Sequence, residues 1–530
     1  MENQFGAYSK EVLKRFTDPK NFGSIENADG VGQVGNPQCL LPEEKIFLNE
    51  EFNDIKNADK NDIVISHNSS NNKIIEIFSR DYNGGLIILK NCMGSISLTP
   101  EHLVYALKLP KHYNFFRTKN RQKLIPAWYH AENLDKRDIV LYPINKEVKD
   151  IKFLEIDIPK LKYDFKGKNI PKKILLNSEL LRLFGYFIAE GNIQDKPSKT
   201  QISFCLNINE IDIVEDIRNI SKKLFGIEIK TKERPNTHVI VVYIYNAQLS
   251  RFFKKLFGNG AQHKKLPEFI MKLPIEKQKS LIEGLWKGDG YVNLKRKGPR
   301  AGYATISYQL AQQIKLLLIR QGIVSSIYKE KEKSVRGVNH KISYRIHVGQ
   351  RDSLIRLCDI LGLKHFPKSF KSVDSWFDNN YLYTPLTKIE RKNYKGKVYN
   401  LEIENTHSFI SEAFSLHNCG DIMKIYFKIK DNRIDDIKFQ TFGCVSAIAA
   451  SDALCEIAKG KTIEEAKKID NKEIIDKLKG LPSIKIHCSV LGAQGLKKAI
   501  ENYEEKKSGK KTKKPMKDDE EDCHSCKLAE

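Results

Sequence analysis

Three groups of residues in this chain have types and spacing suited to chemistry. Asn418 stands directly before Cys419, and Cys39 lies far upstream. A cysteine can attack the carbonyl that precedes it, because a few per cent is already thiolate near neutrality and thioesters exchange readily. An asparagine before the second thiol can cyclise and cut the bond that follows it. A second group is an internal repeat. LFGYFIAEG at 183–191 and IEGLWKGDG at 282–290 each read as a helix ending in a carboxylate and a glycine, with Glu190 and Asp289 99 positions apart. Gly185 and Ala189 share one helical face, as do Gly284 and Gly288, so two helices can approach closely and bring the carboxylates together. Such a pair repels unless a cation lies between, and Mg²⁺ is the natural occupant. The third group is Cys419, Asp421, Cys444 and the adjacent His487 and Cys488. Thiolates with one imidazole suit an iron-sulfur cluster or zinc, and the carboxylate is a weaker, exchangeable ligand.

The elements that position these groups fall into two kinds of sequence. The chain has 530 residues, enough for several domains, and a formal net charge of +24. Residues 1–38 and 419–530 hold 27 basic and 25 acidic residues, whereas 39–418 hold 63 and 41, so nearly all the positive charge lies in the interval. That asymmetry points to a polyanionic partner for the interval alone, a Lys-rich solvated surface being the plainer alternative. No apolar run approaches the roughly 20 residues of a membrane helix and the start lacks a signal-peptide core, so a cytoplasmic protein without a membrane partner is expected. Ten cysteines in so long a chain make a poor disulfide framework.

In the flanks, YSKEVLKRFTDPKNFG predicts a helix stopped near Pro19. DIMKIYFKIKDNRIDDIKFQTFGC alternates as two strands with DNR as the turn. VSAIAASDALCEIAKG predicts a helix with Cys455 in the core, and TIEEAKKIDNKEIIDKL a second helical stretch. The tail from about Tyr503 is Lys-rich, then acidic, and is expected to be disordered; its Cys523 and Cys526 make only half a metal site.

Joining the flanks restores GNPQCGD, which with FGC and HCS resembles the NifU/IscU-type iron-sulfur assembly scaffolds over essentially all of the joined flanks except the tail. The resemblance implies that Cys419, Asp421, Cys444, His487 and Cys488 bind a transient [2Fe-2S] cluster or zinc, and that Cys488 receives persulfide sulfur from a cysteine desulfurase. It also implies apo iron-sulfur proteins as acceptors and a scaffold homodimer. LPSIK at 481–485 resembles the chaperone-recognition motif of IscU-type members, departing from it at Ser483 and Ile484. A structural zinc-binding module is the alternative for the same residues.

CLLPEEKIFLN from Cys39 and VYNLEIENTHSFISEAFSLHN up to Asn418 resemble the two ends of an intein, a self-splicing insert. The resemblance implies that Cys39 attacks the carbonyl of Gln38, Cys419 takes over the acyl group, and Asn418 cyclises to release the insert. GSISLTPEHLVYAL resembles the motif that contacts the upstream scissile amide, which gives that role to Thr99 and His102, with His102 protonating the leaving nitrogen. His407 and His417 then polarise or protonate groups around Asn418. Asn400 stands where many inteins carry an aspartate, which implies slower splicing or more reliance on His407.

The two repeats resemble the LAGLIDADG homing endonucleases, which implies that Glu190 and Asp289 hold Mg²⁺ for cleavage of double-stranded DNA. Lys265 in HKKLPEF matches a lysine often found near that centre. Basic stretches such as NLKRKGPR and YKEKEKSVRG would face phosphates, with strands reading the major groove. An inactive DNA-binding relic is the alternative. The expected fold class is multidomain: an α+β cluster-scaffold domain split by a β-rich Hint (intein) domain, horseshoe-like, that contains an α/β LAGLIDADG endonuclease domain. The expected boundaries are 1–38 and 419–503 for the scaffold, 39–165 and 370–418 for splicing, 166–369 for the endonuclease, and 504–530 for the tail.

Overall fold

The computed structural model describes residues 8–35, 38–110, 124–161, 164, 168–196, 199–234, 237–295, 298–335, 338–364, 375–418, 422–442, 445–481 and 486–508. Contacts divide the chain into two units, Met1–Gln38 with Cys419–Glu530, and Cys39–Asn418. Among the described residues no helix is long and apolar enough to cross a membrane.

The first unit is built on a three-stranded antiparallel sheet in which Gly30–Val34 pairs with Ile422–Lys430, and that strand with Arg433–Phe442. Asp431 and Asn432 adopt φ of 49° and 59°, the left-handed conformation a two-residue hairpin loop requires. The helix Ile486–Lys507 lies directly on the sheet: a Cβ on Gly32 would sit 2.2 Å from the Ala499 nitrogen, so only glycine fits. Helices Lys10–Thr17 and Val445–Ala458 complete the core with Val12, Phe439, Leu454 and Cys455. The stretch that reads as one helix from its periodicity is two, Ile463–Ala466 and Asn471–Lys477. The Asp470 side chain accepts the Glu473 N–H and starts a new helix there. The last helix continues to Lys507, past Tyr503, where the tail was expected to begin.

Among its described residues the second unit has, besides a smaller cluster of Leu107, Ile139, Leu141 and Tyr383, two large cores. One is strand-rich and interleaves the two ends of the interval. The long strand Asn71–Lys90 pairs along most of its length with Lys388–Ile403. A second sheet runs, in spatial order, Trp376–Phe377, Tyr381–Pro385, Ile139–Pro143, Leu103–Leu107, Ser415–His417, Ser408–Ile410. Leu40, Leu98, Val104, Leu401 and Leu416 fill the core.

The other core is a helix–strand–strand–helix–strand–strand–helix unit occurring twice. The first copy opens with helix Ser178–Glu190 and ends with Ala247–Phe257; the second opens with Ile275–Asp289, contains Tyr308–Arg320, and ends with Arg351–Ile360. Each copy folds its four main strands into a sheet in the order first, second, fourth, third. Phe153–Glu155 pairs with Lys173–Leu175, and Ile156 packs into this core. Packing therefore changes hands near residue 150, ahead of the boundary expected at 165.

Candidate functional site

The two ends of the interval meet in the strand-rich core. Leu40 and Tyr399 exchange backbone hydrogen bonds at 2.8 Å, which fixes the start of the interval beside the long strand pair. Buried Cys39 donates its N–H to Thr99 Oγ1 at 3.0 Å, and its carbonyl accepts from the Thr99 N–H at 3.0 Å. Burial pushes the Cys39 thiol up, Arg80 pulls it partly back, and Glu101 adds to the rise. His102, three residues after Thr99, is fully buried, and neither ring nitrogen has a hydrogen-bond partner of good geometry. Burial and the nearby His417 push it down to about 3, although the backbone of Cys39 and His417 favours its charged form. The ring is therefore neutral at pH 7.

The downstream end arrives on the short hairpin Ser408–Ile410 and Ser415–His417, whose Leu416 pairs with Val104, two residues after His102. Asn418 is buried and donates its N–H to the His407 carbonyl at 2.8 Å. Its Nδ2 lies 3.2 Å from His407 Nδ1, which also lies 3.0 Å from Glu402 Oε1. His417 Nδ1 lies 3.3 Å from the Asn418 carbonyl oxygen, the ring held edge-on by Trp128 at 4.9 Å. The structure thus gathers Cys39, Thr99, His102, His407, His417 and Asn418 at one place; Cys419 lies outside the described residues. Asn400 is buried, and its Oδ1 accepts the Leu401 N–H at 2.7 Å. Glu402 escaped the sequence reading, and the one signal was a carboxylate within the apolar run of Val398–Ile403.

The carboxylate pair forms where two helices cross. A Cβ on Gly185 would lie 2.5 Å from the Leu281 carbonyl, and one on Gly284 would lie 2.3 Å from the Arg182 carbonyl, so the glycines let the backbones touch. A Cβ on Gly288 would meet that of Ala189 at 2.4 Å. Glu190 and Asp289 end these helices side by side. Burial and Asp289 push Glu190 up to about 7; burial also raises Asp289, although Lys264 and Glu190 pull it back. Asp289 is exposed at the end of its helix, with the surrounding protein still dense enough to disfavour its charge. Carboxylates that resist ionising together fit a divalent cation. Among the described residues no group of three or more His, Cys, Asp or Glu side chains gathers for a metal. Water and phosphate oxygens would complete such a cation's shell.

The lysine at this site is Lys264 and not the expected Lys265. Lys264 is buried, its Nζ donates to the carbonyls of Ile188 and Ala189 at 2.7 and 3.2 Å, and burial pushes it down to about 8 against the pull of both carboxylates. Lys265 faces away, half exposed, 3.5 Å from Glu51. Two adjacent lysines are equivalent in sequence, so only the turn of the backbone at 264 separates them.

In the first unit, Cys488 is buried against Val34, Met423 and Ala447. Val34 and Met423 are paired across the sheet and are its last partners before the breaks at 38 and 419. The thiol therefore underlies the end of the sheet from which both flanks lead to the interval. Cys419, Asp421, Cys444, Cys523, Cys526, residues 482–485 and the His487 side chain lie outside the described residues.

Comparison with known proteins agrees with this division. The family model described as NifU-like N terminal domain matches residues 7–40 and 401–510, and that of the LAGLIDADG-like domain matches 177–257 and 276–362. An uncharacterized protein of Methanocaldococcus jannaschii is 31% identical over 460 residues, covering 81% of this chain and 57% of that protein. The ATP-dependent DNA helicase Hel308 of Thermococcus kodakarensis is 27% identical over 426 residues, 74% of this chain and 37% of the helicase. The iron-sulfur cluster assembly scaffold protein IscU 1 of Archaeoglobus fulgidus is 60% identical over 85 residues, 16% of this chain and 56% of that scaffold. The chain thus spans about half, or less, of the length of these relatives. Among solved structures, the homing endonuclease I-DmoI aligns over 35% of this chain and 97% of its own, with 13% identity and a TM-score of 0.28. The chain carries a NifU-like N-terminal domain in its two ends, interrupted by a segment that holds a LAGLIDADG-like domain.

Proposed function

We propose that Cys39–Asn418 is a self-splicing intein with a Hint-type splicing fold, that its LAGLIDADG-like domain is a Mg²⁺-dependent homing endonuclease, and that the rejoined flanks are an iron-sulfur cluster assembly scaffold. The observation that carries the first part is the meeting of the two junctions, Cys39 on Thr99 and Asn418 on His407, in one core. The match to a helicase supports a separable segment. The flanks total 150 residues, so a match over 74% of the chain must include most of the interval.

In the first step Cys39 Sγ attacks the Gln38 carbonyl carbon, the carbon–nitrogen bond breaks, and a thioester replaces the amide. Thr99 holds the Cys39 nitrogen in place. A neutral His102 can take a proton at one nitrogen and give one from the other, so the proton lost by Sγ and the proton gained by the Cys39 nitrogen balance without a charged ring. Cys419 Sγ then takes the acyl group, expelling the Cys39 thiol. Asn418 Nδ2 attacks the Asn418 carbonyl carbon, closing a succinimide and releasing the Cys419 amine. His407 Nδ1 accepts the Nδ2 proton, Glu402 steadies the charged ring, and as the carbon–nitrogen bond breaks one proton passes to the leaving Cys419 nitrogen, restoring the neutral ring; His417 steadies the carbonyl oxygen. The freed amine recaptures the acyl group as an ordinary peptide bond. Holding these groups in reacting positions is the main source of rate, since effective molarities can reach about 10⁵ M or more. Intact mass after expression tests this: a 380-residue insert and a 150-residue ligated product are expected. An unprocessed chain as the sole species would refute it.

For the endonuclease, Glu190 and Asp289 would hold the cation. The chemistry a bound Mg²⁺ supplies is activation of water and neutralisation of charge on the phosphodiester. Lys264 fixes the end of the Ser178–Glu190 helix and places a cation beside both carboxylates. The interval's net +22 supplies phosphate affinity that should fall steeply with salt. The target should span the uninterrupted codons for GNPQCGD, because an occupied gene has that site split. Cutting of such a plasmid that Glu190→Gln and Asp289→Asn both abolish is the expected result; binding without cutting would leave the relic alternative.

For the scaffold, Cys488 beneath the rejoined edge supports cluster binding there with Cys419, Cys444, His487 and the exchangeable Asp421. Anaerobic addition of iron and sulfide to the spliced product should give visible absorption. Zinc binding alone would favour the structural alternative.

A further inference from the structure

The hairpin that delivers Asn418 is held at its far end by the LAGLIDADG-like repeat. Its strands, Ser408–Ile410 and Ser415–His417, pair over three residues each. The open end carries His407 and Asn418; the closed end is the turn 411–414, where Ser411 Oγ accepts the Phe414 N–H at 3.1 Å. From this turn Glu412 reaches the helix Tyr308–Arg320. Tyr308 donates its hydroxyl to Glu412 Oε1 at 2.7 Å, the Gln312 amide donates to the same oxygen, and Lys315 Nζ donates to the Glu412 carbonyl at 2.7 Å. Tyr308, Gln312 and Lys315 are spaced to share one helix face. Lys315 is fully buried, and a buried ammonium persists only where partners compensate its lost hydration. Ile319 and Val324, at and beyond the end of the same helix, pack into the strand-rich core.

A two-stranded hairpin is at best marginally stable by itself, so its position depends on what holds it, and a slip of one residue would turn each side chain to the other face. Asn418 would then leave His407. We infer that Glu412 is a positioning residue for cyclisation at Asn418, gripped by Tyr308, Gln312 and Lys315, so that this helix of the LAGLIDADG-like domain is a working part of the splicing apparatus. The same helix also holds the lysine of the carboxylate site: Ser307 Oγ donates to the Lys264 carbonyl at 2.7 Å, and the Gln313 amide exchanges two hydrogen bonds with the Leu266 backbone at 2.8 Å. One rigid element therefore contacts both sites of the interval.

This inference rests on the splicing proposal, and the full chain tests the two separately. Thiol-induced cleavage at Cys39 and release at Asn418 are each timed in the parent and in Glu412→Ala and Glu412→Gln. Glu412→Ala should slow release at Asn418 tenfold or more and leave cleavage at Cys39 within twofold, whereas Glu412→Gln, which keeps an acceptor oxygen, should recover most of the rate. Should Glu412→Ala fail to fold, Tyr308→Phe combined with Gln312→Leu leaves the turn intact and should give the same selective loss. Equal slowing at both junctions, or none, overturns the inference while splicing of the parent stands. A parent that releases no insert overturns the splicing proposal itself.

Discussion

His407 Nδ1 lies 3.2 Å from Asn418 Nδ2, and the same ring atom lies 3.0 Å from Glu402 Oε1. One nitrogen cannot accept from the amide and donate to the carboxylate at once. On the proposed route the bare nitrogen would take the proton that Asn418 loses on cyclising, and the protonated ring would turn to Glu402. In that proposal the ring would serve as a base whose charged form has Glu402 beside it. His407→Ala should slow release at Asn418 about 10²-fold or more, the usual range for a general base. Glu402→Gln should slow it less, and both should leave thiol-induced cleavage at Cys39 unchanged. Timing the two cleavages by mass spectrometry checks this.

Asn418→Ala removes the cyclising amide. Release at the downstream junction and ligation should stop, while the upstream thioester still forms and is trapped by added thiol. Normal ligation in that variant would sink the mechanism.

The carboxylate pair predicts a pH-dependent stability. Glu190, ordinarily near 4.5, is pushed up to about 7 by burial and by Asp289. The folded chain holds that proton more tightly than the unfolded one, so its contribution is full below about 4.5 and is lost as pH rises toward about 7. A cation between the ionised carboxylates reverses the loss. Millimolar Mg²⁺ should raise the melting temperature of the excised interval at pH 8 by a few degrees, on the order of 1 kcal/mol, and have little effect at pH 5. Glu190→Gln should remove the response.

Gly185→Leu should separate the crossing helices, because its Cβ alone would sit 2.7 Å from Gly284 Cα. Overpacking of this kind costs about 1–3 kcal/mol or more. DNA cleavage and the Mg²⁺ response should both be lost; retention of either would mean the crossing does not set the carboxylate spacing.

Arg15 joins the two flanks through Asp452 at 2.8 Å and Glu456 at 2.9 Å, and Asp452 also accepts the Asn21 N–H at 3.0 Å. Asp452→Ala removes the buried one of three carboxylates on Arg15, with Glu11 and Glu456 remaining, and takes the acceptor from the Asn21 N–H, which costs about 1–3 kcal/mol. The spliced product should unfold at markedly lower denaturant.

The sequence by itself pointed out the candidate residues and the two-part division, because the cysteines, the Asn and the repeated carboxylates are fixed by residue type and order. It also determined the helix crossing: Gly185 and Gly284 at equivalent places in two repeats leave little else for their faces to do. Local signals carried less where caps compete with periodicity, as at Asp470, which divides a continuous helical pattern in two. Only the tertiary structure decided which lysine serves the carboxylates, since Lys264 and Lys265 differ by the direction of one turn. Only it set Glu402 against His407, and Glu412 against a helix roughly a hundred residues earlier in the chain. Those pairings follow from how long strands and packed cores bring distant segments together, which residue type and local periodicity do not encode.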